Sequence, residues 1–535
     1  MALLSAFLLW LAWPPIPYSS PLLWFAWVPL LFALEGVMRS DDRKKGMKVF
    51  LLGGLTGVVR NTASIYWVFN AMNAVMPVYA AALVSLIPFG LAALLMALVF
   101  RLYYQLRKRY AIGWALAGLV CFWVAYEYLH QSWDLAFPWM TLGNGFAATH
   151  QLIQWYEYTG VYGGTVWIWL LNILIFLSIL SARDGFARAH RRKLLVAVVI
   201  LIGVPSFWSL WRYTTYEEHE NPSDIVVVQP NVDPYGKFSF ITPEEQLDNL
   251  IRLSESVAQP NTEFFIWPET AIAHQPSGYS EDDFLEDPAF LRLQEFLTPY
   301  RNGNILSGIE SYRLYGDPRT RTARPWGPQY VDVFNAAILV ENSAKLQFYH
   351  KSKLVAGVEQ FPFGGALTFM KPLFESFGGS TGGYGRQDHP SVFYSQSGIG
   401  AAPVICYESI WGEYVGEYIK QGAQFIAIIT NDGWWGDTAG KDQHLAYAKL
   451  RAIETRRWVA RSANTGISAF INQRGDVVQQ TRWWQPTAIK QDINLNEELT
   501  FYVQAGDYFA YAGCAGSLIF GMLTLLTFGK RKKNP

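Results

Sequence analysis

Eight stretches of this chain stay apolar for long enough to suggest membrane helices. They run at about 2–17, 20–37, 48–70, 77–100, 111–129, 161–181, 194–212 and 508–529. A helix rises about 1.5 Å per residue, so about 20 residues cross the ~30 Å apolar core of a bilayer. Seven stretches precede residue 213 and one follows residue 507. This predicts a polytopic α-helical membrane domain of about eight spans. The first stretch is short and ends at Pro14-Pro15. It lacks the basic start and small-residue cleavage site of a signal peptide, so it reads as an anchor.

Between residues 213 and 507 the pattern changes to short apolar runs alternating with helical periods. Strands are predicted at Asp224–Gln229, Glu263–Trp267, Asn304–Gly308, Val333–Val340, Ala401–Ile405, Phe425–Thr430 and Gly466–Asn472. Several are continuously apolar, as in sheets covered on both faces. A helix is predicted from Thr242, with Pro243 in its first position and Glu245 completing a capping box. Its Leu247, Leu250, Ile251 and Val257 keep a period near 3.6. A second long helix is predicted over about Asp442–Val459. The alternation predicts an α/β sandwich.

Charge sharpens this division. The 535 residues carry no net charge and only 16% are charged, against about 25% in an average soluble domain. Residues 213–507 hold 36 of the 43 acids but 23 of the 43 Lys and Arg. All but Arg60 and Arg212 of the remaining basic residues cluster in alternate loops: Arg39, Arg43, Lys44, Lys45 and Lys48; Arg101, Arg107, Lys108 and Arg109; Arg183, Arg188, Arg191, Arg192 and Lys193; and Lys530, Arg531, Lys532 and Lys533. The intervening loops carry none. The positive-inside rule then puts both termini in the cytoplasm and the 213–507 segment outside. Three regions are expected: a membrane domain over 1–212, a catalytic domain over 213–507, and a final span with a basic tail over 508–535. Arg60 falls about 18 Å into the third span. An intramembrane Arg is either functional or locally paired.

Three residues stand at predicted strand ends with chemistry to offer. Cys406 follows Ala402-Pro403-Val404-Ile405 and precedes a helical pattern. A thiol there would face helix N–H groups that stabilise a thiolate, making it a candidate nucleophile. Glu269 ends Ile266-Trp267-Pro268-Glu269, where Pro268 stops the strand. Desolvation beside tryptophan would suit it to be a general base. Lys351 follows Lys345–Tyr349, and a fixed ammonium can stabilise an oxyanion. Glu359, eight residues on, could hold it. Each has an ordinary alternative: a buried structural cysteine, a helix-N-terminal acid and a solvated lysine. Three scattered cysteines and no His cluster give neither a disulfide framework nor a metal site.

Taken together, Glu, Lys and Cys at successive strand ends resemble the nitrilase, or carbon–nitrogen hydrolase, superfamily. With several N-terminal spans, one outward domain and one C-terminal span, the whole chain looks like the apolipoprotein N-acyltransferase family. The resemblance implies a nitrilase-like αββα sandwich. It implies Glu269 as base, Lys351 as oxyanion stabiliser and Cys406 as nucleophile, supported by Glu359, Asn335, Tyr407 and Glu408. Phe137-Pro138-Trp139 matches a membrane-loop motif, and Asn431-Asp432-Gly433-Trp434-Trp435 the segment after the cysteine strand. Trp139, Phe238, Phe361, Phe363, Trp434 and Trp435 are the lipid-facing candidates. The segment Phe361–Met370 is expected to form a lipid-facing lid. Two departures touch lipid contacts: Ala356-Gly357-Val358-Glu359 replaces the usual Pro-Phe-Gly-Glu, and Phe238 stands where tryptophan is common.

The implied reaction is acyl transfer from the sn-1 position of a phospholipid, through a cysteine thioester, to the N-terminal S-diacylglyceryl-cysteine of a lipoprotein. No metal, cofactor or nucleic acid is expected, and the chain is expected to act as a monomer in a bacterial inner membrane. The alternative is a membrane-anchored amidase or thioesterase that uses water as acceptor. A non-catalytic membrane scaffold or transporter is disfavoured by the scarcity of intramembrane charge.

Overall fold

A computed structural model describes residues 1–236, 241–272, 278–360, 362–363 and 383–526. Phe238, Phe361, most of the expected lid and the basic residues Lys530–Lys533 lie outside the described residues. The chain divides into two compact units. One comprises Met1–Asn73, Pro77–Thr215 and Ala505–Pro535; the other comprises Ala74–Met76 and Tyr216–Gln504.

The first unit is helical. Among the described residues, six segments are long and apolar enough to cross a membrane: Ser20–Arg39, Val78–Arg107, Ile112–His130, Tyr156–Arg183, Arg188–Thr215 and Tyr508–Leu525. The first apolar stretch is helical only over Ala2–Leu11. Prolines at 14, 15 and 17 cannot continue it. The third stretch divides into helices Lys45–Ser64 and Trp67–Val75.

Two buried charges in this unit grip one loop. The Arg60 guanidinium lies 4.7 Å from the Trp13 ring centroid and donates to the Met140 carbonyl at 2.9 Å. Glu127 accepts from Trp123 Nε1 at 2.8 Å, the Leu142 amide at 2.9 Å and Thr165 Oγ1 at 2.8 Å. Residues 140–142 are therefore drawn inward, and Phe137-Pro138-Trp139 with them. This corrects the expectation for Trp139, which faces no lipid. It is fully buried, with its ring 4.8 Å from that of Trp67.

The second unit is the sandwich. Its strands, among the described residues, are β1 Pro222–Gln229, β2 Phe264–Ile266, β3 Tyr279–Ser280, β4 Asn304–Tyr315, β5 Arg324–Trp326, β6 Gln329–Glu341 and β7 Leu346–His350. They continue with β8 Phe393–Tyr394, β9 Gly400–Ile405, β10 Phe425–Thr430, β11 Val459–Ala463, β12 Ala469–Ile471, β13 Val477–Gln480 and β14 Thr487–Asn494. One sheet has the order β14-β1-β2-β4-β6-β5, with β3 on β4 and β7 on β6; the other runs β13-β12-β11-β10-β9-β8. Along β1, Val226 and Val228 pack on helices Pro243–Glu255 and Pro288–Leu297 through Leu250, Leu293 and Phe296. The opposite face meets the second sheet. Phe264 lies 5.1 Å from Phe425, and Ser462 Oγ donates to the Val228 carbonyl at 2.7 Å. Helices Gly412–Lys420 and Ala439–Thr455 cover the far side of that sheet. The layers are helix, sheet, sheet, helix.

The capping box forms as expected, with Thr242 and Glu245 exchanging hydrogen bonds. The later helix is shifted from the expected Asp442–Val459. It starts at Ala439 behind the Thr438 cap and stops at Thr455, because Arg456 takes φ +50°. Val459 instead opens β11, paired in parallel with β10. The expected strand Gly466–Asn472 shrinks to Ala469–Ile471, Gly466 lying at φ +149°.

Candidate active site

The site gathers at the ends of strands from both sheets. β9 stops at Cys406, which adopts φ +51°. A side-chain-bearing residue enters this left-handed region only under constraint. Here the constraint is a web around the turn. Glu408 accepts from the Ile405 amide at 2.9 Å, the Ser352 amide at 2.7 Å, the Lys353 amide at 3.2 Å and Tyr349 Oη at 2.6 Å. One carboxylate thus ties the cysteine turn to the segment that carries Lys351. The Cys406 carbonyl accepts from Ser409 Oγ at 2.8 Å and lies 3.2 Å from His444 Nε2. Behind it, Asp432 bonds His444 Nδ1 at 3.0 Å and Arg461 Nη2 at 2.6 Å.

Lys351 follows β7 and is 1% exposed, so it is not a solvated surface lysine. Its backbone amide donates to the Asn335 carbonyl on β6 at 2.9 Å. Its Nζ donates to Glu269 Oε1 at 2.9 Å and Glu359 Oε1 at 2.8 Å. Asn335 Nδ2 reaches the same two oxygens, each at 2.8 Å. Glu359 Oε2 accepts from the Val355 amide at 2.8 Å, which closes the loop between lysine and acid. Glu269 reaches this cluster because β2 ends at Trp267-Pro268 and the chain crosses Gly308 on β4. A Cβ at Gly308 would stand 2.3 Å from the Thr270 nitrogen and 2.6 Å from the Glu269 Cα. Any larger residue at 308 pushes Glu269 out of place.

Burial opposes charge on Lys351, yet Glu269, Glu359 and Cys406 together hold its pKa well above the usual lysine value. The ammonium stays charged. Cys406 goes the other way from the sequence expectation. Burial, then the Glu269 carboxylate, push its thiol above the ordinary range; Lys351 and a hydrogen bond with Thr430 offset only part of this. The stretch after Cys406 is a single short 3-10 turn, Cys406–Ile410, too brief for a strong helix field. At neutral pH the resting sulfur is a thiol, and its proton must be removed as it attacks.

The structure brings Glu269, Lys351, Glu359 and Asn335 into one hydrogen-bonded cluster. Glu408 sits beside it as a tie between segments. Tyr407 is buried against Trp411, with ring centroids 4.8 Å apart. Trp434 is exposed and its carbonyl accepts from Tyr235 Oη at 3.0 Å; Trp435 is half-buried, 5.4 Å from His444. Phe363 is exposed. The residues that sequence reasoning missed are Gly308, Ser409, His444 and Arg461. Asp432 was noticed only as part of its segment. A glycine ending an apolar strand run was the available signal for the first.

Residues 226–498 match the family model described as carbon-nitrogen hydrolase, and residues 5–174 match the apolipoprotein N-acyltransferase N-terminal domain. The chain belongs to the carbon-nitrogen hydrolase family. Among curated proteins it is similar to the apolipoprotein N-acyltransferase of Chlorobaculum tepidum, 29% identical over 99% of this chain and 97% of the relative. It is also similar to the apolipoprotein N-acyltransferase of Geobacter metallireducens, 28% identical over 98% and 94%. Of solved structures, an amidase from Nesterenkonia sp. covers 56% of this chain and 98% of its own at 15% identity, with a TM-score of 0.35, too low to bear on the site.

Proposed function

We propose that this chain N-acylates lipoproteins, moving a phospholipid acyl chain through a thioester on Cys406 to the α-amine of an N-terminal S-diacylglyceryl-cysteine. The observation that carries the reading is the ammonium of Lys351 clamped between Glu269 and Glu359 at 2.9 and 2.8 Å and within electrostatic reach of Cys406, itself held at positive φ. Near full-length similarity to proteins named apolipoprotein N-acyltransferase supports the substrates.

In the first half-reaction Glu269 takes the thiol proton as Sγ attacks the sn-1 ester carbonyl. An ammonium has three N–H donors. Two are engaged by the carboxylates, which leaves a third for the developing oxyanion. Collapse expels the lysophospholipid alkoxide, which takes its proton back from Glu269. In the second half-reaction the acceptor amine attacks the thioester, Glu269 removes the excess proton, and the departing sulfur regains it. A thiolate of high basicity leaves slowly. Its departure is therefore helped by the proton that Glu269 returns to it.

Drawing an acyl chain into water costs about 0.8 kcal/mol per CH₂, so the site works at the membrane surface. The basic-loop pattern supports a bacterial inner membrane location with cytoplasmic termini and a periplasmic catalytic unit. The chain acts as a monomer, without metal or cofactor. Lid and lipid-contact roles fall to Phe361–Met370, Phe363, Phe238 and Trp434.

Intact-mass analysis of the purified protein incubated with phospholipid tests this. Wild type gains one acyl mass that a diacylglyceryl-peptide amine discharges, and Cys406→Ser gains none. An adduct on both proteins, or one lost at the same rate without the amine, overturns it.

A further inference from the structure

Arg43, Lys44, Arg101, Lys108 and Arg109 converge on a cavity of about 510 Å³ where helix Lys45–Ser64 begins and helix Val78–Arg107 ends. No acid lines it. The nearby carboxylates are engaged elsewhere: Glu35 with Arg39 at 2.8 Å and Arg107 at 3.1 Å, Asp184 with Arg39 at 2.7 Å, and Asp42 with Lys48. Arg43, Lys44, Arg101 and Lys108 have no ion pair among the described residues. The positive-inside rule explains why this face is basic, but not why five cations surround one concavity.

The cavity is also shaped. The Arg101 guanidinium lies over Gly46, where an added Cβ would stand 1.5 Å from Nη1 and 2.9 Å from a Tyr104 ring carbon. That Nη1 is buried and has no hydrogen-bond partner. A buried guanidinium nitrogen without an acceptor is costly. Helix Lys45–Ser64 starts at this point with no acid in its first turn, and the one carboxylate at its start, Asp42, is taken up by the Lys44 amide at 2.8 Å and by Lys48. From the cavity, Met47, Leu51, Leu55 and Val58 run down that helix as an exposed apolar stripe. Leu102, Leu98 and Leu94 do the same on the neighbouring helix.

We infer that this cavity binds the phosphodiester headgroup of an anionic membrane lipid, with its acyl chains along the two stripes. The phosphate supplies the acceptor that Arg101 Nη1 lacks and a counter-charge for Arg43, Lys44, Arg101 and Lys108. The stripes favour a lipid over free phosphate, which has nothing to place there. The site lies apart from the Cys406 chemistry and holds a lipid that is not consumed.

The test uses the full-length protein in detergent and native mass spectrometry. The probes are ether-linked phosphatidylglycerol and phosphatidylethanolamine, neither of which can acylate Cys406, and inorganic phosphate as competitor. Wild type is expected to retain one more phosphatidylglycerol than Arg101→Ala. Gly46→Ala, which displaces the guanidinium without removing charge, weakens retention about fivefold. Arg192→Ala, a cation outside the cavity, leaves it unchanged. Should Arg101→Ala fail to fold, the exposed pair Lys44→Ala and Lys108→Ala gives the same reading. Equal retention by Arg101→Ala and Arg192→Ala overturns the site. So does equal retention of the two lipids, or displacement by millimolar phosphate, which would mark a free-anion site.

Discussion

In the helical unit, the contacts of Arg60 and Glu127 named above go to dipoles, a carbonyl and an indole face for one and an indole N–H, an amide and a hydroxyl for the other, with a weaker attraction between the two charges themselves. In the sandwich, Lys351, Glu269 and Glu359 are buried against each other. Both arrangements offset the cost of removing charge from water. A charge met by dipoles fixes the position of a loop, and a neutral group of the same shape can inherit much of that role. A cluster of one cation and two anions has no such substitute, because deleting the cation leaves two carboxylates facing each other, and deleting either acid removes one of the two groups that hold the ammonium. The difference separates positioning from chemistry, and it can be attacked from both ends.

The largest effect is expected at Lys351. Lys351→Met removes the oxyanion donor and leaves two carboxylates sharing Asn335. One of them then takes up a proton, since like charges this close cannot both stay ionised. Formation of the acyl-enzyme should fall by about 10³ or more, read as the rate of adduct appearance by intact mass. A loss under tenfold would break the comparison on the catalytic side.

Asp432→Asn comes next, and acts on stability. Burial raises the Asp432 pKa, but Arg461 and His444 outweigh it and hold the carboxyl below its usual range. A depressed folded-state value contributes stability above the unfolded pKa of about 3.9 and loses it as pH falls through the folded value. The asparagine leaves Arg461 buried without its anion, a loss of about 3–5 kcal/mol. Urea unfolding at pH 7 should show it, and the gap to wild type should narrow as the pH drops below about 4. A gap that stays constant would remove Asp432 from the charge network.

A smaller effect, on rate alone, concerns the resting sulfur. With its pKa raised by burial and by Glu269, Cys406 should react with iodoacetamide more slowly at pH 7 than an unperturbed cysteine. Its rate should still climb above pH 8.5, about where free cysteine is half ionised. Stopped alkylation with peptide mass mapping measures this. A plateau below pH 8 would mean that the turn stabilises the thiolate after all.

The sequence showed the strand ends well because continuous apolar runs closed by Pro268, Lys351 or Cys406 are local signals. It could not show the sign of the Cys406 shift. That depends on burial and on Glu269, 137 positions earlier in the chain. β11 was hidden because Trp458-Val459-Ala460 continues the apolar pattern of the preceding helix, and only the left-handed Arg456 separates them. β14, with Lys490, Gln491 and Asp492 in its middle, reads as polar loop until it pairs antiparallel with β1. Trp139 was misplaced for a similar reason. The match to a membrane-loop motif suggested a lipid-facing ring, whereas Arg60 and Glu127, distant in sequence, draw its loop inside.

The smallest effect separates shape from charge at Glu127. Glu127→Gln keeps one oxygen in place for the Leu142 amide and the Trp123 indole, both of which Oε1 now accepts. Its new NH₂ meets Thr165 Oγ1, already bonded by the Gly143 amide, so a single bond is weakened. The expected cost is at most about 1 kcal/mol, seen as a small drop in melting temperature in detergent with acyl transfer retained. Glu127→Leu orphans the Leu142 amide and the indole N–H together, at about 1–3 kcal/mol each, and should melt well below the glutamine variant. If the glutamine variant were as unstable as the leucine one, the negative charge itself would be required. The helical unit would then be holding its loop by the same means the sandwich uses to hold its lysine.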